Sequence, residues 1–118
     1  MRWTPITRSE LDDLLIDQLA DCPSELRAAF VQSAIAPQKW SQFPYGDEGG
    51  GFWAVAVLGS KVLWYNDIED GFNVSHFTEP GRIPDDEYWC QHDPLEWALP
   101  RLIGDPPGWR KGAPRPMT

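Results

Sequence analysis

FWAVAVLGSKVLWYNDIEDGFNVSHF, from Phe52 to Phe77, is the densest run of β-branched and aromatic residues in the chain, and two turn signals interrupt it. A run of that composition, punctuated in that way, predicts a three-stranded antiparallel meander. Gly59-Ser60 is a two-residue loop with glycine first, which suits a type II′ turn and sets Val57 against Val62 and Val55 against Trp64. In that register Trp53, Val55, Val57, Val62 and Trp64 share one face. At the second turn, a two-residue Asp70-Gly71 loop would set Ile68 opposite Asn73 and Glu69 opposite Phe72, mixing polar with apolar. A three-residue loop, Glu69-Asp70-Gly71 with Gly71 left-handed in a G1 bulge, instead aligns Ile68 with Phe72 and Asn66 with Val74 and continues the apolar face. The opposite face then carries Ala54, Ala56, Leu63, Tyr65, Asp67, Asn73 and Ser75, which is half apolar, ends in a carboxylate and is the candidate working surface.

Working outward, Thr7-Arg8-Ser9-Glu10 has the capping-box pattern, and Leu11, Leu14, Leu15 and Leu19 follow at helical spacing, predicting a helix over about Arg8 to Ala20. Pro23 suits the first turn of a second helix, whose stripe of Leu26, Ala29, Phe30, Ser33 and Ala34 ends before Pro37. Lys39 to Tyr45 then reads as a connector and Gly46 to Gly51 as a flexible acidic loop. Beyond the meander, Pro80, Gly81 and Pro84 mark a loop over Thr78 to Asp86, and Tyr88-Trp89-Cys90 is a candidate fourth strand. Asp93, Pro94 and Glu96 form a helix start, Leu95, Leu99 and Leu102 its apolar stripe, Pro100 an expected kink or early end, and Gly104 its stop. From Asp105 the chain is rich in Pro and Gly and reads as a basic tail, with Trp109 its one candidate for docking. The expectation is an α+β domain over residues 1–104: an antiparallel meander of three to four strands, with two N-terminal helices and one C-terminal helix on its Val55–Trp64–Ile68 face.

Eighteen acids against ten bases give a net charge of −8, and up to Gly104 the count is 17 against 7, a net of −10. Residues 105–118 hold one acid and three bases. A field of that sign repels nucleic-acid phosphate and attracts basic proteins, although acidity for solubility alone is a sufficient cause. Two cysteines, Cys22 and Cys90, are too few for a disulfide framework and fit a reduced, cytoplasmic setting. No apolar stretch follows Met1 to Pro5, and the longest apolar run, Phe52 to Leu58, is far short of the ~20 residues of a membrane span.

Sites for chemistry are sparse. The glycines at 46–51 precede a strand instead of following one, and two carboxylates sit among them, which argues against a phosphate cradle. In Asn66 to Gly71, Ile68 falls where a calcium loop needs an oxygen ligand. Cys22, His76, Cys90 and His92 lack the paired spacings of a zinc site, so no metal or cofactor is expected; burial of Cys90 and exposure of His92 is the plain reading. There is no Gly-x-Ser-x-Gly elbow, and Ser75 and His76 point to opposite faces of a strand. What remains is a set of carboxylates with aromatics among them: Tyr65, Asp67, Glu69, Asp70, Asp85, Asp86, Glu87 and Tyr88, the expected partner-binding residues. Aromatic anchors supply affinity at a protein interface, and charged neighbours supply encounter rate and partner choice.

WYNDIEDGFNVS over Trp64 to Ser75, with EYWCQ over Glu87 to Gln91, resembles a group of small, largely uncharacterised bacterial proteins. In size and charge the chain is also similar to immunity proteins, which neutralise toxins. That resemblance implies an acidic surface laid on a toxin's active site or a neighbouring exosite, and it transfers no individual residue. The reading is a non-catalytic, acidic protein-binding module, immunity- or antitoxin-like, acting on a basic partner. The alternatives are a sensor or small enzyme with a pocket near Tyr88 to His92, and an accessory protein whose acidity serves solubility.

Overall fold

The structure is a computed structural model, and it describes residues 3–104. The basic tail at 105–118, with Trp109, lies outside the described residues. The chain order is α1 (Arg8–Ala20), α2 (Ser24–Ser33), β1 (Ala34–Gln42), a 3-10 turn (Gly46–Gly49), β2 (Phe52–Leu58), β3 (Lys61–Asn66), β4 (Gly71–His76), β5 (Arg82–Ile83), a second 3-10 turn (Asp85–Glu87) and α3 (Leu95–Ile103). The fold is α+β. Its sheet is five-stranded and mixed, in the order β4-β3-β2-β1-β5, with β1 and β5 parallel and the other neighbours antiparallel. The expected meander, β2-β3-β4, is therefore one side of the sheet, with β4 at its edge, and β1 and β5 extend it beyond β2.

The local signals set the helix ends. Thr7 Oγ1 accepts from the Glu10 amide at 3.1 Å and Glu10 Oε1 from the Thr7 amide at 2.9 Å, so two amides that would otherwise be orphaned start α1. Pro23 and Pro94, expected as the first helical residues, are the N-caps of α2 and α3, so each helix starts one position later than the sequence suggests. Asp93, expected to cap α3, instead accepts from the Phe72 amide at 2.8 Å through its backbone oxygen and pairs its carboxylate with Arg101. α3 runs through Pro100 to Ile103 without ending early.

Which face the helices cover is a correction. Gly59-Ser60 forms the expected two-residue turn, with φ +60° at Gly59, and Val57 does face Val62. The register then jumps: Ala56 faces Leu63 but Ala54 faces Trp64, leaving Val55 as the extra residue of a β-bulge. A bulge reverses the in-out alternation beyond it, so the predicted apolar face is divided between two cores. Val55 joins Leu63, Tyr65 and Phe72 against Leu11, Leu15, Leu26, Phe30, Leu95, Leu99 and Leu102 of the three helices. Val62 and Trp64 join Phe52, Ala54, Trp40 and Ile83 on the far side, under Trp3, Ile68, Phe77 and Tyr88. Both faces of the sheet are buried. At ~1.5–3 kcal/mol for each large apolar side chain taken from water, neither layer is a minor contribution.

The second turn also differs. Asn66 faces Gly71 and Tyr65 faces Phe72, so the loop has four residues, Asp67 to Asp70. Asn66 Oδ1 accepts from the Ile68 amide at 3.0 Å and the Glu69 amide at 3.2 Å, and the left-handed residue is Asp70, with φ +59°. Gly71 is glycine for another reason: a Cβ there would run into the carbonyl oxygen of Gln91 and the backbone of His92. β1 takes Lys39 to Gln42 of the expected connector and the stretch from Ala34 before it, and Pro37 falls in its irregular part between Ala34 and Gln38, where a regular ladder bond is not required. The candidate strand at Tyr88 to Cys90 is irregular chain, and the short β5 lies earlier, in the expected loop. No helix among the described residues is long and apolar enough to cross a membrane.

Candidate functional site

Three buried polar side chains on β3 and β4 hold the Glu87 to Gln91 segment against the far face. Asn66 Nδ2 donates to the Trp89 carbonyl at 2.9 Å and to the Tyr88 hydroxyl at 3.1 Å. Asn73 Oδ1 accepts from the Gln91 amide at 3.0 Å, and Ser75 Oγ donates to the Glu87 carbonyl at 2.6 Å while accepting from Trp64 Nε1 at 2.9 Å. Buried polar groups are for the most part hydrogen-bonded, and here each of the three bonds the backbone of one segment. Trp64 to Ser75 and Glu87 to Gln91 are thus one clasped unit. Its ends carry the chain's two histidines: His76 donates its amide to Glu87 Oε1 at 2.8 Å, and His92 Nδ1 lies 2.8 Å from the Glu69 carbonyl oxygen.

The clasp positions Tyr88. Its ring lies 5.9 Å from both Phe52 and Trp64 and 4.5 Å from Tyr45, measured between centroids. Burial pushes the Tyr88 phenol above its ordinary range, against the Asn66 bond, which draws it down; nearby Cys90 and Glu69 add to the rise. Tyr45 is held from the end of β1. Gln42 Oε1 accepts from the amides of Tyr45 at 3.0 Å and Gly46 at 2.9 Å, and Asp47 Oδ1 accepts from the Gln42 amide at 2.9 Å. The acidic glycine segment is consequently an ordered 3-10 turn. Tyr45 precedes one 3-10 turn, with Asp47 and Glu48, and Tyr88 follows the other, with Asp85, Asp86 and Glu87. Two acid-bearing turns, distant in sequence, meet at a tyrosine pair.

The expected site residues divide. Asp70, Asp85 and Asp86 are exposed, and Glu69, Glu87 and Tyr88 are half-buried around the clasp. Asp85 is paired with Arg82 at 2.9 Å. Tyr65 is a correction: at 7% exposure it lies under the helices against Phe72 and is not available to a partner. Burial first, then the carboxylates Asp70 and Asp67, push its phenol up to about 12. Asp67 is a second correction. Its Oδ2 accepts from the Ile6 amide at 2.7 Å, Trp53 Nε1 donates to the Ile6 carbonyl at 2.9 Å, and its Oδ1 is buried without a partner. It latches the segment before α1 onto the sheet, and burial raises its carboxyl above the usual range. Tyr45 and Glu48, absent from the expected set, belong to the surface, and only the tertiary approach of the two turns brings them there.

The cations leave this surface strongly negative. Among the described residues Arg8, Arg82 and Arg101 pair with Asp12, Asp85 and Asp93, while Arg27, Lys39 and Lys61 donate to backbone carbonyls. Cys90 is exposed, contrary to the expectation of burial, and its thiol adjoins the Tyr88 hydroxyl; His92 is exposed, as expected, and lies beside Glu69. No cluster of three metal-ligating side chains occurs among the described residues. Comparison with known proteins finds no matching family model, no similar curated protein and no similar solved structure.

Proposed function

We propose that the protein is a non-catalytic, acidic protein-binding module, immunity- or antitoxin-like, that inhibits a basic partner by covering it. The observation that carries this reading is the meeting of the two acidic turns at the Tyr45–Tyr88 pair, with Tyr45 51% exposed and Trp89 41% exposed nearby in sequence. Rings on a rigid base supply contact area at little entropic cost, and the surrounding carboxylates select a positively charged counterpart. The contact residues are Tyr45, Glu48, Glu69, Asp70, Asp85, Asp86, Glu87 and Tyr88.

The test is retention of proteins from the source cells on the immobilised chain at low and high salt, with a charge-reversed variant alongside. A basic protein held at low salt, released at high salt, and not held by Glu69→Lys with Asp86→Lys is the expected result. Both lysines replace side chains outside the two cores, so the variant should keep its fold, which circular dichroism checks. Equal retention on the variant and the unaltered chain would remove these residues from the contact surface.

A further inference from the structure

We propose that the Tyr45–Tyr88 pair is the seat of an arginine side chain of the partner. The inference rests on the reading of this face as a surface for a basic protein and specifies what docks at its centre. Of the five carboxylates on the two turns, Asp47 is taken by the Gln42 amide, Asp85 by Arg82 and Glu87 by the His76 amide. Glu48 and Asp86 are exposed and have no hydrogen-bond or ion-pair partner among the described residues. One of these two acids lies on each turn, and the tyrosine pair joins the turns.

This combination selects a planar cation. A guanidinium stacks on an aromatic face and presents a fork of N–H donors at its edge to carboxylates, whereas an ammonium is a compact and strongly hydrated charge. Phosphate-bearing ligands are repelled by the same acids. The rings are already placed: Tyr88 lies on Phe52 and Trp64 with its hydroxyl bonded to Asn66, and the backbone of Tyr45 is bonded to Gln42. Preorganisation of that kind leaves little side-chain entropy to lose on binding.

Calorimetric titration of the full chain with an oligoarginine peptide, and with an oligolysine peptide of equal length, tests the seat. The unaltered chain should bind oligoarginine several-fold tighter. Tyr45→Ala, a change at a half-exposed ring, should weaken oligoarginine about tenfold and bring the two peptides level, whereas Tyr45→Phe, which keeps the ring, should stay near the unaltered value. Glu48→Gln with Asp86→Asn should weaken both peptides more than Asp13→Asn with Asp17→Asn, an equal loss of charge on α1. Failure of the unaltered chain to bind oligoarginine, equal affinity for the two peptides, or indifference to Tyr45→Ala would each overturn the seat. If Tyr45→Ala changes nothing while Glu69→Lys with Asp86→Lys still abolishes capture of a basic protein, the seat fails and the function proposed above stands. If neither change matters, both fail.

Discussion

Tyr65 and Asp67 show how two residues read as surface serve the interior. The Tyr65 phenol titrates at about 12 in the folded chain, against about 10 in the unfolded one, because ionising it would leave a buried charge beside Asp70 and Asp67. A raised pKa on an acid means that the unfolded chain releases its proton first, so the contribution is whole below about pH 10 and is lost as pH rises toward about 12. Two pKa units correspond to an upper limit of ~2.7 kcal/mol. Tyr65→Phe should therefore flatten the alkaline fall in denaturation midpoint; an unchanged slope would show that the phenol is solvated. Asp67 poses the opposite trade. Its oxygen holds the Ile6 amide, yet its charge is disfavoured by burial. Asp67→Asn keeps an acceptor and removes the charge, so it should match or exceed the unaltered chain in thermal stability at neutral pH. Asp67→Ala should lose ~1–3 kcal/mol because the Ile6 amide is orphaned. Thermal melts of both variants decide this, and a reversed order would exclude the latch.

Among the elements, the clasp between the β3–β4 hairpin and residues 87–91 makes the sharpest demand on sequence. Asn73→Ala removes the acceptor for the Gln91 amide inside a fully buried site and should destabilise by ~1–3 kcal/mol. Hydrogen exchange should speed at residues 88–91 more than in β2; uniform acceleration would mean that the segment is not separately held. Gly71→Ala places a methyl against the backbone at Gln91 and His92 and should cost ~1–3 kcal/mol or more through overpacking, without help from any change at Asp70. These contacts also mark where the sequence stops being legible. The α1 capping box, the limits of α1 and the Gly59-Ser60 turn are local, and a few neighbouring residues specify each. The bulge at Val55 has no local marker, because it is selected by which face meets the helices. β1 is hidden by Pro37 and by a helical stripe reaching Ala34. The Tyr45 site is hidden because its two turns are brought together only by packing on Phe52 and Trp64.

For the whole molecule, charge acts at two ranges that kinetics can separate. The field of a net charge of −8 extends about a Debye length into solution and raises the encounter rate with any basic protein, with no requirement for contact. In the proposed function Glu48 and Asp86, on the turns that flank the tyrosine pair, act by contrast within the formed complex. Asp13→Asn with Asp17→Asn should slow association at low salt by a few-fold and leave dissociation unchanged, since both side chains lie on the exposed side of α1, across the sheet from Tyr88. Glu48→Gln with Asp86→Asn removes the same charge, so it should slow association comparably and, in addition, speed dissociation. Raising salt should erase the association difference of both pairs and leave the dissociation difference of the second largely in place. Stopped-flow measurement with the captured basic partner distinguishes the two; dissociation rates equal in both variants would leave the molecule a diffuse negative field, with no contact surface at the two turns.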